Sequence, residues 1–101
     1  SAQDAADLRR WGFNLIRLGV LWQGTFPASG ASHDPAYIAA VQRIVALCEA
    51  EGIYVVMDMH SDVLNRRFCG NGIPDWAVDD ALEAMGQQPA HGDFPTPVCD
   101  P

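Results

Sequence analysis

Ile53-Tyr54-Val55-Val56-Met57 is an almost unbroken apolar run that turns polar at Asp58, His60 and Asp62. A β-rich apolar run of this length fits a strand covered on both faces. The segment that follows, Asn65-Arg66-Arg67-Phe68-Cys69-Gly70-Asn71-Gly72-Ile73-Pro74, holds the Gly, Asn and Pro residues that mark a loop. A buried strand that delivers carboxylates and an imidazole to its C-terminal end is the usual way an α/β fold builds a site.

The residues before this stretch supply the rest of the pattern. Asp4 to Trp11 reads as a short helix with Ala5, Leu8 and Trp11 inward and Gly12 as its C-cap. Phe13 to Val20 reads as a second apolar strand, interrupted by Asn14 and Arg17. Leu21 to Asp34 reads as a loop carrying Trp22 and Phe26. Asp34-Pro35 opens a helix, with Asp at the N-cap and Pro at the first helical position. Tyr37, Ile38, Val41, Ile44, Val45 and Cys48 recur along it at helical spacing, and Gly52 closes it. Beyond the central loop, Ala77 to Met85 is expected to be helical, with Val78, Leu82 and Met85 on one side. Residues 86–101 are Gly/Pro-rich and are expected to be irregular.

Strands alternating with helices imply parallel βαβ units. Two or three such units cannot close a sheet, and an eight-stranded barrel takes about 250 residues. The expected fold class is therefore α/β: a partial (βα)8 TIM barrel, two to three βα units of one larger domain. A self-contained domain of this length is the alternative.

Composition removes several partners. The net charge is −7, and all six basic residues are arginines, which argues against nucleic acid and anionic membrane surfaces. No apolar run reaches the roughly 20 residues of a transmembrane helix. Cys48 falls in a helical pattern as a small apolar residue, whereas Cys69 and Cys99 lie in irregular stretches and are candidates for a disulfide.

Asp58, His60 and Asp62 alternate at period two, so in an extended chain they share one face. Such a set can bind sugar hydroxyls, ligate a metal, or form a hydrogen-bonded lock at the strand end. The lock suits Asp58, which sits deeper; a ligand-binding role suits His60 and Asp62. If the strand runs on through Asp62, the two carboxylates lie about 13 Å apart, too far to be a glycosidase pair. Arg17, inside an apolar strand, is expected to be buried and paired with Asp58 or another carboxylate on the adjacent strand. A metal centre would recruit His33 or His91, but the dense zinc spacings are absent. There is no P-loop, GxGxxG or GxSxG. Trp22, Phe26 and Trp76 are placed to stack on sugar rings or to plug a barrel rim.

Gly12-Phe13-Asn14-Leu15-Ile16-Arg17-Leu18-Gly19-Val20-Leu21-Trp22 and Val56-Met57-Asp58-Met59-His60-Ser61-Asp62 resemble the early strands of family 5 glycoside hydrolases. Phe68-Cys69-Gly70-Asn71-Gly72-Ile73-Pro74-Asp75-Trp76-Ala77 resembles the endoglycoceramidase branch of that family. The resemblance implies a βα barrel that hydrolyses the β-glycosidic bond between oligosaccharide and ceramide by a retaining mechanism, without a cofactor. It implies that Arg17 supports the nucleophile and that His60 and Asp62 bind the sugar at the scissile bond. Ser61 departs from the glutamine that family members often carry. Glu49, Glu51 and Glu83 do not match the family's catalytic glutamates, so both are expected outside this chain. The resemblance further implies a secreted or membrane-peripheral enzyme in contact with glycolipid. A β-glucanase of the same family is the runner-up, and a non-catalytic carbohydrate-binding piece the alternative of another class.

Overall fold

The structure, a computed structural model, describes residues 1–86. In chain order its elements are α1 (Ala2–Arg10), β1 (Leu15–Val20), α2 (Trp22–Thr25), α3 (Pro35–Ala50), β2 (Tyr54–Met59), a 3-10 turn (Arg66–Phe68) and α4 (Asp75–Ala84). They fall into two compact units. The first joins Ser1–Val20 to Pro35–Asp58; the second joins Leu21–Asp34 to the described residues after Asp58.

In the first unit β1 and β2 are neighbours in a two-stranded parallel sheet, and the backbone N–H of Tyr54 donates to the carbonyl of Asn14 at 2.8 Å. α1 packs on α3. Ala5, Cys48 and Ile53 are the buried apolar residues here, each at most 4% exposed. α1 starts at Ala2 rather than Asp4. Ser1 caps it, because its hydroxyl accepts from the Asp4 N–H while the Asp4 carboxylate reaches back to the Ser1 amine, a capping box.

Among the described residues neither strand is covered on both faces, as expected of a piece of a larger sheet. β1 alternates, with Ile16, Leu18 and Val20 half-buried and Leu15 and Arg17 exposed. In β2, Tyr54 and Val56 are exposed, at 76% and 51%. Among the described residues nothing covers the face that carries Tyr54 and Val56. Met57, at 65%, is bare as well. On α3, Cys48 is buried and Tyr37, Ile38, Val41 and Val45 are half-buried as the spacing predicts, but Ile44 is exposed.

In the second unit, α4 begins at Asp75, two residues before the expected start, with Pro74 as N-cap. Val78 is buried and Leu82 half-buried, but Met85 falls past the helix end and is 65% exposed. Leu21–Asp34, expected as loop throughout, contains the one-turn helix α2. No helix among the described residues is long and apolar enough to cross a membrane.

Candidate functional site

Arg17 sits in the middle of β1, and its Nε lies 3.3 Å from Oδ2 of Asp58 on β2. The cross-strand ion pair is present as expected. The expected burial is not: the Arg17 side chain is 70% exposed, against 31% for Asp58. Its sheet face is the uncovered one, so water reaches the guanidinium.

His60, Asp62 and Trp22 belong to the second unit. β2 stops at Met59, so His60 and Asp62 do not continue a strand, and the separation worked out for an extended chain does not apply. Val63 (φ 47°) and Leu64 (φ 67°) turn into the left-handed region, where a non-glycine residue costs of order 1–3 kcal/mol. Asp62 instead pairs antiparallel with Asn71 through two backbone hydrogen bonds, of 3.1 and 2.7 Å. His60 is half-buried and Asp62 exposed.

Asn65 holds this turn in place. It is 0% exposed, the one buried polar residue of the described chain. Its Nδ2 donates to the Ile73 carbonyl at 2.6 Å and to Oδ1 of Asp75 at 3.0 Å, while its Oδ1 accepts from the Arg67 N–H at 2.9 Å. Its backbone carbonyl accepts from the N–H groups of Phe68 and Gly70. These bonds offset the strain at Val63 and Leu64 and fold the loop back on Asp62.

Two glycines make the return path. A Cβ on Gly70 would overlap the backbone of Asp62 and Val63. Gly72, at φ +112°, comes so close that a Cβ would lie 2.7 Å from the carbonyl oxygen of His60. Only a chain without a side chain at both positions can pass.

Arg66 and Arg67 brace the loop against α4. Nε of Arg66 donates to Oδ2 of Asp75 at 2.9 Å, and its Nη2 reaches the same oxygen. Arg67 forms a two-pronged pair with Asp79, at 2.5 and 2.9 Å. The hydrogen bond from Arg66, and then that from Asn65, hold the Asp75 carboxyl below its ordinary value. The same carboxylate raises Arg66, and Asp79 raises Arg67. Cys69 follows in a left-handed conformation and is disulfide-bonded. The expected partner, Cys99, lies outside the described residues, and Cys48 is a buried free thiol.

The aromatics are held by protein. Trp76, expected in a loop, is the second residue of α4; its Nε1 donates to the Phe26 carbonyl at 2.8 Å. Trp22, half-buried at the start of α2, meets Trp76 edge to face at 5.6 Å. Phe26 packs edge-on against His33. Among the described residues no three His, Cys, Asp or Glu side chains converge as metal ligands, and His91 lies outside them.

Asn65, Arg66, Arg67 and their partners were not among the residues singled out by spacing. The Gly-Asn-Gly at 70–72 was the available signal, since two glycines flanking one residue mark close backbone approach on both sides.

Residues 1–92 match the family described as Cellulase (glycosyl hydrolase family 5). The chain is 40% identical over 79 residues to an endoglycoceramidase of Cyanea nozakii, covering 78% of this chain and 16% of that protein. It is 37% identical over all 101 residues to an endoglycoceramidase of Hydra vulgaris, covering 18% of it. Among solved structures, endo-glycoceramidase II from Rhodococcus sp. superposes with a TM-score of 0.70 at 32% identity, covering 76% of this chain and 18% of that one. Cryptococcus neoformans sterylglucosidase 1 gives 0.72 at 29% identity, covering 94% and 14%. The chain thus spans 16–18% of the first two relatives.

Proposed function

Because the chain belongs to glycosyl hydrolase family 5, we propose that it forms the front of the catalytic barrel of an endoglycoceramidase-like enzyme. The whole enzyme would hydrolyse the β-glycosidic bond between oligosaccharide and ceramide. The observation that carries this reading is the match to the Hydra vulgaris endoglycoceramidase along the full 101 residues.

The reaction in this reading is retaining. One glutamate forms a glycosyl-enzyme intermediate, and a second acts first as acid and then as base. Neither belongs to this chain: Glu49 lies in α3, Glu51 in the turn after it and Glu83 in α4, none at a strand end. The chain contributes the grip. Arg17 lends positive charge and donors to the nucleophile, while Asp58 fixes its guanidinium across the sheet. His60 and Asp62 accept and donate to sugar hydroxyls from the loop end that Asn65 holds. Trp22, packed at right angles to Trp76, would stack on a sugar ring. No cofactor enters this mechanism, and the partner is a glycosphingolipid met in secretion or at a membrane surface.

A glucosylceramidase-type activity is the second reading. It is favoured by a 31% identity over 71 residues to a glucosylceramidase of Aspergillus fumigatus and by the broad coverage of the sterylglucosidase structure. Both readings share a β-linked sugar on an apolar aglycone.

The test is the complete protein containing this chain, assayed on fluorescent lactosylceramide, glucosylceramide and a soluble β-glucan. Release of intact disaccharide from lactosylceramide supports the endo reading. Activity confined to glucosylceramide supports the second reading, and activity confined to the glucan refutes both. The isolated 101-residue chain is expected to be inactive, and turnover by it would refute the assignment of the catalytic groups.

A further inference from the structure

Among the described residues, the non-glycine positions with positive φ are Val63, Leu64 and Cys69, and all of them lie in the loop between β2 and α4. Left-handed backbone is unfavourable for such side chains and persists only where the surroundings over-determine it. Asn65 answers for the first two, since it follows Leu64 directly and ties the turn to Ile73 and Asp75. Cys69 has a different restraint: it is disulfide-bonded. Cys48 is a buried free thiol, which leaves Cys99 as the other cysteine of the 101 residues.

Two properties separate this bond from an inert structural one. Cys69 is exposed, and an exposed disulfide is open to attack by a thiolate. It is also joined to the site by a short path. Next to it, Gly70 donates its N–H to the Asn65 carbonyl at 3.0 Å and passes against the backbone of Asp62 and Val63. One residue further, Asn71 exchanges two backbone hydrogen bonds with Asp62. That pairing has little in reserve, because Oδ1 of Asn71 is buried without a hydrogen-bond partner, a cost carried at the pairing itself. A crosslink at Cys69 removes open conformations of this returning arm.

Resting on the proposed function, we propose that the Cys69 disulfide is a redox lock on the substrate grip. Oxidised, it holds the returning arm and with it the Asp62–Asn71 pairing. Reduced, the arm relaxes and the enzyme binds its glycolipid weakly. The reductant is a low-molecular-weight thiol. Its thiolate attacks one sulfur of the protein disulfide, a mixed disulfide forms, and the other protein sulfur leaves as a thiolate and takes up a proton. A second thiol attacks the mixed disulfide, frees the remaining protein sulfur and departs as the reagent disulfide. Two electrons pass to the protein, and the two protons given up by the reagent thiols finish on Cys69 and its partner. Oxidised glutathione reverses both steps.

The experiment uses the complete protein and its Cys69→Ser variant in glutathione buffers of graded thiol-to-disulfide ratio, with dithiothreitol as the reduced limit. Hydrogen exchange is read at the amides of Asp62, Gly70 and Asn71, with α3 as reference, and KM and kcat are read on fluorescent lactosylceramide. Reduction is expected to speed exchange at the three loop amides at least about tenfold relative to α3. KM is expected to rise about tenfold, with kcat changing less than about twofold. Cys69→Ser should show the reduced values in every buffer. Should that variant fail to fold, the parent reduced and capped with iodoacetamide supplies the open form, with modification at Cys69 read by peptide mass. Loop exchange that ignores the buffer, exchange that rises as much in α3, an unchanged KM, or a response that survives in Cys69→Ser would overturn the lock. If no glycosphingolipid is cleaved yet loop exchange follows the buffer only when Cys69 is present, the lock stands and the assigned activity falls. Turnover with buffer-independent exchange sinks the lock alone.

Discussion

Replacing Asn65 by alanine in the complete protein removes three side-chain hydrogen bonds at a site with 0% exposure. Two of the partners are backbone groups, the Ile73 carbonyl and the Arg67 N–H, and each is left without its partner at a position where alanine cannot substitute. An orphaned buried group costs about 1–3 kcal/mol, and a hydrogen bond to a charged partner such as Asp75 contributes about 1.5–3 kcal/mol. Taking the low end of each, because water reaches parts of this loop, the expected destabilisation is about 3–5 kcal/mol. The loss falls first on the loop, since Val63 and Leu64 hold left-handed conformations that Asn65 stabilises. Hydrogen exchange at the amides of Phe68, Gly70 and Ile73 should therefore accelerate more than exchange within α3, and chemical denaturation should report the global share. Asn65→Asp sharpens the test: it keeps the acceptor for Arg67 but sets a second carboxylate beside Asp75, so Asp75→Asn should partly rescue it. A loss below about 1 kcal/mol for Asn65→Ala with unchanged exchange would refute the reasoning.

Gly70→Ala forces a methyl into the backbone of Asp62 and Val63; a loss of about 3 kcal/mol or more is expected by thermal denaturation, and a stable variant would show that the loop has another route. Asp75 sets an acid limit. Its folded pKa lies below the ordinary value near 3.8, so its stabilisation is complete above that value and is lost as pH falls through the folded pKa; exchange of the Ile73 amide below pH ~4 should rise in the parent protein, and Asp75→Asn should show much less of that dependence. Arg17→Lys keeps the charge but gives up the planar fork, and in the complete enzyme kcat is expected to fall about 10–100-fold with a smaller change in KM; an unaltered kcat would remove Arg17 from the supporting role.

The helix–strand order was legible because periodicity is a strong signal over long segments: the α3 spacing and the apolar runs of β1 and β2 stand out unaided. Short features were not. α2 has four residues, too few to show a period, and contains Gly24, which reads as a breaker. α1 was placed two residues late because the Ser1–Asp4 capping box went unread. Double-faced burial was a fair reading of Tyr54 and Val56, but burial needs a second surface, and the described residues supply none over them. At the site, the Arg17–Asp58 pair was readable because two charges in adjacent apolar strands must find each other. Asn65 was not readable: asparagines are ordinarily exposed, and nothing local distinguishes one that folds a loop around itself. The same holds for the end of β2, since the turn at Val63 is imposed by the pairing of Asp62 with Asn71, nine residues further on.

The close passage of Gly70 and Gly72 against the segment from His60 to Val63 has a practical consequence for anyone wishing to redirect this protein toward other sugars. A randomised library that touches either glycine, or Asn65 beneath them, will be filled with clones that never mature.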